Sequence, residues 1–207
     1  PYTLFSSGSG MVIFYRNNKA ILTAAHVCKA DAFKGMMGPL EGREIALRAI
    51  DRDNKKFSID VIKYDVDLDV CLLNANNLPV NAVNISSVRP EYGDRVYNIS
   101  APVGIVDGEM VPLYEGFFFG INEDRAFYSI PTIGGSSGSP ILNIKGEVIG
   151  MIHSVHYRFH HISLSVTHSN LWNFVNSSCN HTSEFQNKCL RSDSELIQIE
   201  EFQYNNQ

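Results

Sequence analysis

The sequence predicts an all-β fold. Three observations carry that prediction. Aromatic and β-branched residues are plentiful, Gly, Asn and Asp clusters recur at short intervals, and two hairpin signals stand out. The chain has 207 residues, 44% of them apolar and 19% charged, which is ordinary for a globular protein. Such a length accommodates one large domain or two small ones sharing an interface.

A first group of strands is expected at 11–15, 20–23, 44–50, 57–64 and 70–73. Arg16-Asn17-Asn18-Lys19 supplies the first hairpin turn, and Asp51-Arg52-Asp53-Asn54 a polar turn between the next two strands. A second group is expected at 95–99, 116–121, 126–130, 140–143, 148–152 and 161–167. Asn143-Ile144-Lys145-Gly146-Glu147 is the second hairpin signal. Ser169 is placed to cap a short helix whose apolar residues fall at Leu171, Trp172, Phe174 and Val175. The chain therefore divides into an N-terminal unit (1–85), a C-terminal unit (86–175) and a polar, acidic extension (176–207), in which Leu196–Ile199 reads as a further strand.

Charge and hydropathy exclude several functions. The net charge is −5 and the basic residues are scattered, so the basic face of a nucleic-acid-binding protein is missing. No apolar run approaches the roughly 18 residues of a membrane-spanning helix. Pro1-Tyr2-Thr3-Leu4-Phe5 has none of the regions of a signal peptide. Four cysteines are too few for a disulfide scaffold. Cys28 and Cys71, in apolar surroundings, read as small buried hydrophobes, while Cys179 and Cys189 are free to pair or not. Asn84, Asn98, Asn176 and Asn180 each open an N-x-[ST] sequon, as a secreted glycoprotein would require.

Chemistry concentrates in three places. Gly134-Gly135-Ser136-Ser137-Gly138-Ser139-Pro140 lies between two strand segments, where a tight turn presents a serine hydroxyl beside convergent backbone N–H groups. Each such donor stabilises an oxyanion by ~3–4 kcal/mol. Ser137 cannot ionise unaided and needs a base. His26, in Thr23-Ala24-Ala25-His26-Val27-Cys28, titrates near neutrality and follows an apolar strand. Asp69, in Asp67-Leu68-Asp69-Val70-Cys71-Leu72-Leu73, abuts an apolar run and is placed to hold a histidine N–H; Asp65 and Asp67 are its local competitors.

The order His, Asp, Ser, with T-A-A-H, D-V-C-L-L and G-S-S-G-S-P over roughly residues 8–175, resembles the chymotrypsin superfamily. The resemblance implies a chymotrypsin-like double antiparallel β-barrel, six strands each, with the site in the cleft between barrels. It implies serine endopeptidase activity without a cofactor or metal, and an oxyanion hole in the turn Gly135-Ser136-Ser137, from the N–H groups of Gly135 and Ser137. Two departures mark the branch. Ser136 stands where digestive-type members have an Asp, and Pro131 where trypsin-type members keep an acidic specificity residue.

Thr132, five residues before Ser137, and His153, in Gly150-Met151-Ile152-His153, are instead expected to donate hydrogen bonds to a substrate glutamine or glutamate. That pairing is similar to the 3C-like main proteases of positive-strand RNA viruses, above all the serine-type ones of arteriviruses and toroviruses. Those also carry a small C-terminal addition. The resemblance implies cleavage of a viral replicase polyprotein in the host-cell cytoplasm, and the terminal Gln207 is of the residue type such a pocket would accept. His156, His160, His161 and His168 show no recurrent ligand spacing, so they are expected to rim the cleft rather than bind metal. The alternatives are a secreted or envelope-associated housekeeping protease with another preference, and an inactive protease-fold binding module. The intact set His26, Asp69 and Ser137 weighs against the second.

Overall fold

The computed structural model describes residues 7–16, 18–28, 47–74, 78–102, 110 and 112–177. Six strands belong to the first half: β1 (Met11–Tyr15), β2 (Asn18–Thr23), β3 (Arg48–Ile50), β4 (Lys56–Ser58), β5 (Asp60–Asp65) and β6 (Val70–Asn74). A single helical turn, α1 (Ala25–Cys28), follows β2. The second half holds β7 (Arg95–Ile99), β8 (Leu113–Asn122), β9 (Arg125–Tyr128), β10 (Pro140–Leu142), β11 (Val148–His156) and β12 (Phe159–Val166), then α2 (His168–Asn176).

The turn chemistry explains where strands stop. Asp51 Oδ1 accepts from the N–H groups of Asp53 and Lys55, both at 2.9 Å, and Asn54 takes a left-handed φ of 61°, which Asn tolerates. This reverses the chain between β3 and β4. The strand expected over 57–64 is broken at Ile59 into β4 and β5. Of the strand expected over 44–50, only Arg48–Ile50 forms among the described residues, and 44–46 lie outside them. At the second hairpin, Asn143 Oδ1 accepts from Lys145 N (2.9 Å) and Glu147 N (3.0 Å). The helix cap is Thr167, not Ser169: Thr167 is extended and its Oγ1 accepts from Asn170 N, which leaves Ser169 inside the first turn.

All six strands of the second half close into an antiparallel barrel, in the order β10-β11-β12-β9-β8-β7. Alternation along β8 turns Gly116, Phe118 and Gly120 inward and Phe117, Phe119 and Ile121 outward. Inside, Phe118 meets Val96, Tyr128, Ile130, Ile141, Ile149 and Ile152, none more than 4% exposed. The first half differs from a second closed barrel among the described residues. It has a four-stranded sheet, β1-β2-β6-β5, and a separate β3-β4 ribbon. That ribbon packs through Phe57 and Ala49 against a core of Ile21, Ile59, Leu73 and the two cysteines, by side chains rather than by a hydrogen-bonded ladder.

The two halves share one core. Met11, Ile13, Leu22 and Leu72 of the first pack with Val148, Met151 and Val166 of the second and with Leu171, Phe174 and Val175 of α2. The connecting segment joins both through isolated bridges, Val83 with Ile13 and Ile85 with Val148.

A buried lysine fastens α2 to the first sheet. Lys63 on β5 is 4% exposed. Its Nζ donates to the Phe174 and Ser177 carbonyls and lies 4.7 Å from the centre of the Phe174 ring, so the cation meets two helix-end acceptors and an aromatic face. Burial first, and the nearby Arg16 second, hold its pKa down at about 8. Lys63→Ala is expected to lower unfolding stability by about 2–4 kcal/mol, through an unpaired carbonyl and a cavity. Urea unfolding of the two proteins checks this; a difference under about 0.5 kcal/mol would be that of an ordinary surface site.

Candidate active site

His26 and Asp69 meet because β2 and β6 are paired. Thr23 lies opposite Cys71 in that ladder, so the residues just beyond β2 come beside those just before β6. Ala24 and Ala25, 0% and 2% exposed, are small enough to let α1 tuck against the sheet. The Asp69 carboxylate accepts twice from His26: Oδ1 from the backbone N–H (2.9 Å) and Oδ2 from Nδ1 (2.7 Å). A carboxylate only accepts, so Nδ1 carries the hydrogen and Nε2 is left with its lone pair. Asp69 sits at φ 55°, reached through a turn in which Asp65 Oδ1 accepts from Asp67 N and Leu68 N, both at 3.0 Å. Asp65 therefore caps the turn, and Asp67 is exposed.

Cys28 and Cys71 form a disulfide, with Cα atoms 6.5 Å apart across 43 residues of sequence. This corrects their reading as plain hydrophobes. One helical turn after β2 brings Cys28 over Cys71 of the neighbouring strand, within bridging distance. The link ties the residue two past His26 to the residue two past Asp69.

Ser137 occupies a turn of unusual backbone conformation, with Gly135 at φ 93° and Gly138 at φ 89°. The Ser137 Oγ donates to the His153 carbonyl oxygen at 3.3 Å. Within the turn expected to form the oxyanion hole, the N–H of Ser136 donates to the Ile133 carbonyl at 3.1 Å. Gly135 and Ser137 are the candidates that the turn leaves for that role. Sequence reasoning missed Ser9, just before β1. Its N–H donates to the Ser137 carbonyl (2.7 Å) and its hydroxyl to the Gly135 carbonyl (2.8 Å). The one hint was Ser7-Gly8-Ser9-Gly10, whose glycines permit close backbone approach.

His153 is 5% exposed and faces Asp69, with Nδ1 3.9 Å from Oδ2. Arg125 Nη1 lies 2.8 Å from its Nε2 and 3.3 Å from its Nδ1. The lone-pair directions of the two ring nitrogens diverge, so a donor this close to both lies over the ring. Burial first, then the Arg125 cation, push the His153 pKa down to about 4, although Asp69 pulls the other way. Thr132, 5% exposed, donates weakly to the Ile130 carbonyl at 3.4 Å, and its N–H donates to the His160 carbonyl at 3.1 Å.

The other histidines scatter. His156 lies at the end of β11 against Tyr157 and Phe159 and lines an apolar groove of about 360 Å³ with Tyr92, Phe119 and Phe127. His160 and His161 are on β12. His168 is buried at the start of α2 and bonds the Ser86 carbonyl through Nε2 (2.8 Å). Among the described residues no three His, Cys, Asp or Glu side chains cluster to hold a metal, and no helix is long and apolar enough to cross a membrane. Asn98 is fully buried and donates to Ser139 Oγ and the Pro140 carbonyl, so its sequon is inaccessible to a glycan in the folded protein. Cys179, Cys189, Asn180 and Gln207 lie outside the described residues.

The mostly antiparallel β fold is chymotrypsin-like, and in it His26 is hydrogen-bonded to Asp69 while the Ser137 hydroxyl bonds the His153 carbonyl. Residues 8–151 match the trypsin-like peptidase domain family, to which the chain belongs, and the protein is a serine endopeptidase. No curated protein matches the sequence significantly. Among solved structures, the chain is similar to the active form of the Rv3671c protease from M. tuberculosis, at 18% identity and TM-score 0.61, covering 83% of this chain and 74% of that one. It is also similar to the serine endoprotease from Yersinia pestis, at 18% identity and TM-score 0.60, covering 80% and 55%. The HtrA-type protease AlgW with decapeptide gives 16% identity and TM-score 0.63, covering 81% and 50%.

Two predictions follow the geometry. A Cβ at Gly138 would collide with the Ser9 carbonyl oxygen and with Thr23 Oγ1, at a φ that L residues avoid. Gly138→Ala is therefore expected to cost at least ~3 kcal/mol and most of the activity, measured by thermal unfolding and peptide cleavage. His153 binds its proton only near pH 4 when folded but near 6.5 when unfolded. The unfolded chain thus takes up the extra proton between those values, so stability falls as pH drops from 6.5 to 4, by up to ~1.4 kcal/mol per pH unit. Urea unfolding across that range should show a shallower slope for His153→Leu than for the native protein.

Proposed function

We propose that this serine endopeptidase cleaves its substrate with Ser137 as nucleophile, His26 as general base and Asp69 as the group that orients and stabilises His26. The observation that carries the reading is the pair of hydrogen bonds from His26 to the Asp69 carboxylate. They fix the tautomer in which Nε2 accepts the Ser137 Oγ proton as Oγ attacks the peptide carbonyl carbon. The imidazolium so formed is stabilised by Asp69 and returns the proton to the leaving amine. The developing oxyanion would be met by the N–H groups of Gly135 and Ser137. Water then releases the acyl group by the same path.

A housekeeping peptidase is favoured over a viral enzyme that cuts a polyprotein after glutamine. Reading a glutamine side chain requires free donors, yet the His153 ring is covered by Arg125 and faces Asp69, and Thr132 Oγ1 turns to the Ile130 carbonyl. The buried Cys28–Cys71 disulfide favours an oxidising compartment over a host cytosol. The HtrA-type and Rv3671c proteases share the fold alone at this identity.

Fluorophosphonate labelling with peptide cleavage tests the reading. Ser137→Ala and His26→Ala are expected to remain folded, and to lose labelling of residue 137 and about 10³–10⁶-fold in cleavage. Asp69→Asn should lose up to ~10⁴-fold, while Asp67→Asn stays near native. Label on Ser136 or Ser139 would overturn the nucleophile. Cleavage confined to sites after Gln, lost in His153→Ala, would restore the viral reading.

A further inference from the structure

We propose that Ser9 is a positioning residue that sets the oxyanion-binding conformation of the 135–138 turn and couples it to the strand leading to His26. The inference rests on Ser137 being the nucleophile.

The turn has two peptide planes on either side of the Ser136–Ser137 link, and each is held at both ends. In the plane between Gly135 and Ser136, the carbonyl accepts from Ser9 Oγ at 2.8 Å while the N–H donates to Ile133 at 3.1 Å. In the plane between Ser137 and Gly138, the carbonyl accepts from Ser9 N at 2.7 Å while the N–H donates to Ile152 at 2.7 Å. One residue, 126 positions away in sequence from Gly135, thus supplies a partner to both carbonyls. The plane between them carries the Ser137 N–H, and its carbonyl, that of Ser136, accepts from Ser139 N at 3.0 Å; Ser9 holds the two flanking planes and so the turn in which that bond forms.

The anchor is itself anchored. Ser9 Oγ accepts from Ala101 N at 3.0 Å, so its hydroxyl hydrogen is directed to Gly135. The Ser9 carbonyl accepts from Thr23 Oγ1 at 2.7 Å, and Thr23 is the last residue of β2, three before His26. Nucleophile turn and base are therefore referenced to one short segment. Loss of the Ser9 hydroxyl would leave the Gly135 carbonyl and the Ala101 N–H without these bonds, and the Gly135–Ser136 plane would be free to turn at a glycine that tolerates many conformations.

A peptide aldehyde tests the role, since Ser137 Oγ adds to its carbon and the former carbonyl oxygen enters the oxyanion site, whereas the matching peptide alcohol binds without forming that bond. Ser9→Ala should weaken aldehyde binding and slow fluorophosphonate labelling by about tenfold or more. Alcohol binding should stay within about twofold of native, and Ser9→Thr, which keeps the hydroxyl, should recover most of the loss. If Ser9→Ala does not fold, Ser9→Cys, with a weaker donor, carries the same comparison. The inference falls if aldehyde and labelling are unchanged, or if aldehyde and alcohol weaken together. Absence of labelling in the native protein would instead refute Ser137 as the nucleophile.

Discussion

The site depends on a carboxylate at the edge of a buried strand. Asp69 introduces β6, whose next four residues are at most 3% exposed, and an unpaired charge there would be costly. His26 resolves this by donating to both carboxylate oxygens. The same bonds that make Asp69 tolerable also orient the imidazole, so fold stability and catalytic geometry share one interaction. The disulfide reinforces it from behind, by joining α1 to β6 two residues beyond each partner. In the unfolded chain that link closes a loop of roughly 43 residues, which limits the entropy that folding must overcome.

The second requirement is that the two halves cannot slide. His26 and Asp69 belong to the first half and Ser137 to the second, so the proton transfer proposed between them tolerates little displacement. The shared core of Met11, Leu22 and Leu72 with Val148, Met151 and α2 supplies non-directional cohesion. Direction comes from polar contacts across the seam: Lys63 on the carbonyls that end α2, Ser9 on the nucleophile turn and His153 against Asp69. Each buries polar groups with partners, which specifies one packing among those that apolar contact alone would permit.

How much of this was legible in the sequence follows from the range of each interaction. Hairpins were readable because Asn143 and Asp51 bond their own neighbours. His26, Asp69 and Ser137 could be singled out because each sits in a local motif, and of the contacts expected among them the His26–Asp69 pair is present. The barrel closure was implied by the family resemblance, yet the separate β3-β4 ribbon was not, since strand pairing across a loop leaves no local trace. Cys28 and Cys71 looked apolar because a buried disulfide and a buried thiol need the same surroundings; only the β2–β6 register brings them together. Ser9 stayed invisible for the same reason, its partner being 126 residues away.

His153 shows how much spacing alone leaves open. A histidine on a strand near the nucleophile has two faces available, and one residue of register decides between them. Ile152 points into the barrel core, 0% exposed, so its neighbour His153 turns the opposite way, toward Asp69 and Arg125. Kept neutral by burial and by the Arg125 cation, His153 does not compete with His26 for the Asp69 charge at neutral pH. Under the proposed mechanism the carboxylate then serves one imidazolium, that of His26, while His153 stands beside it as a neutral neighbour.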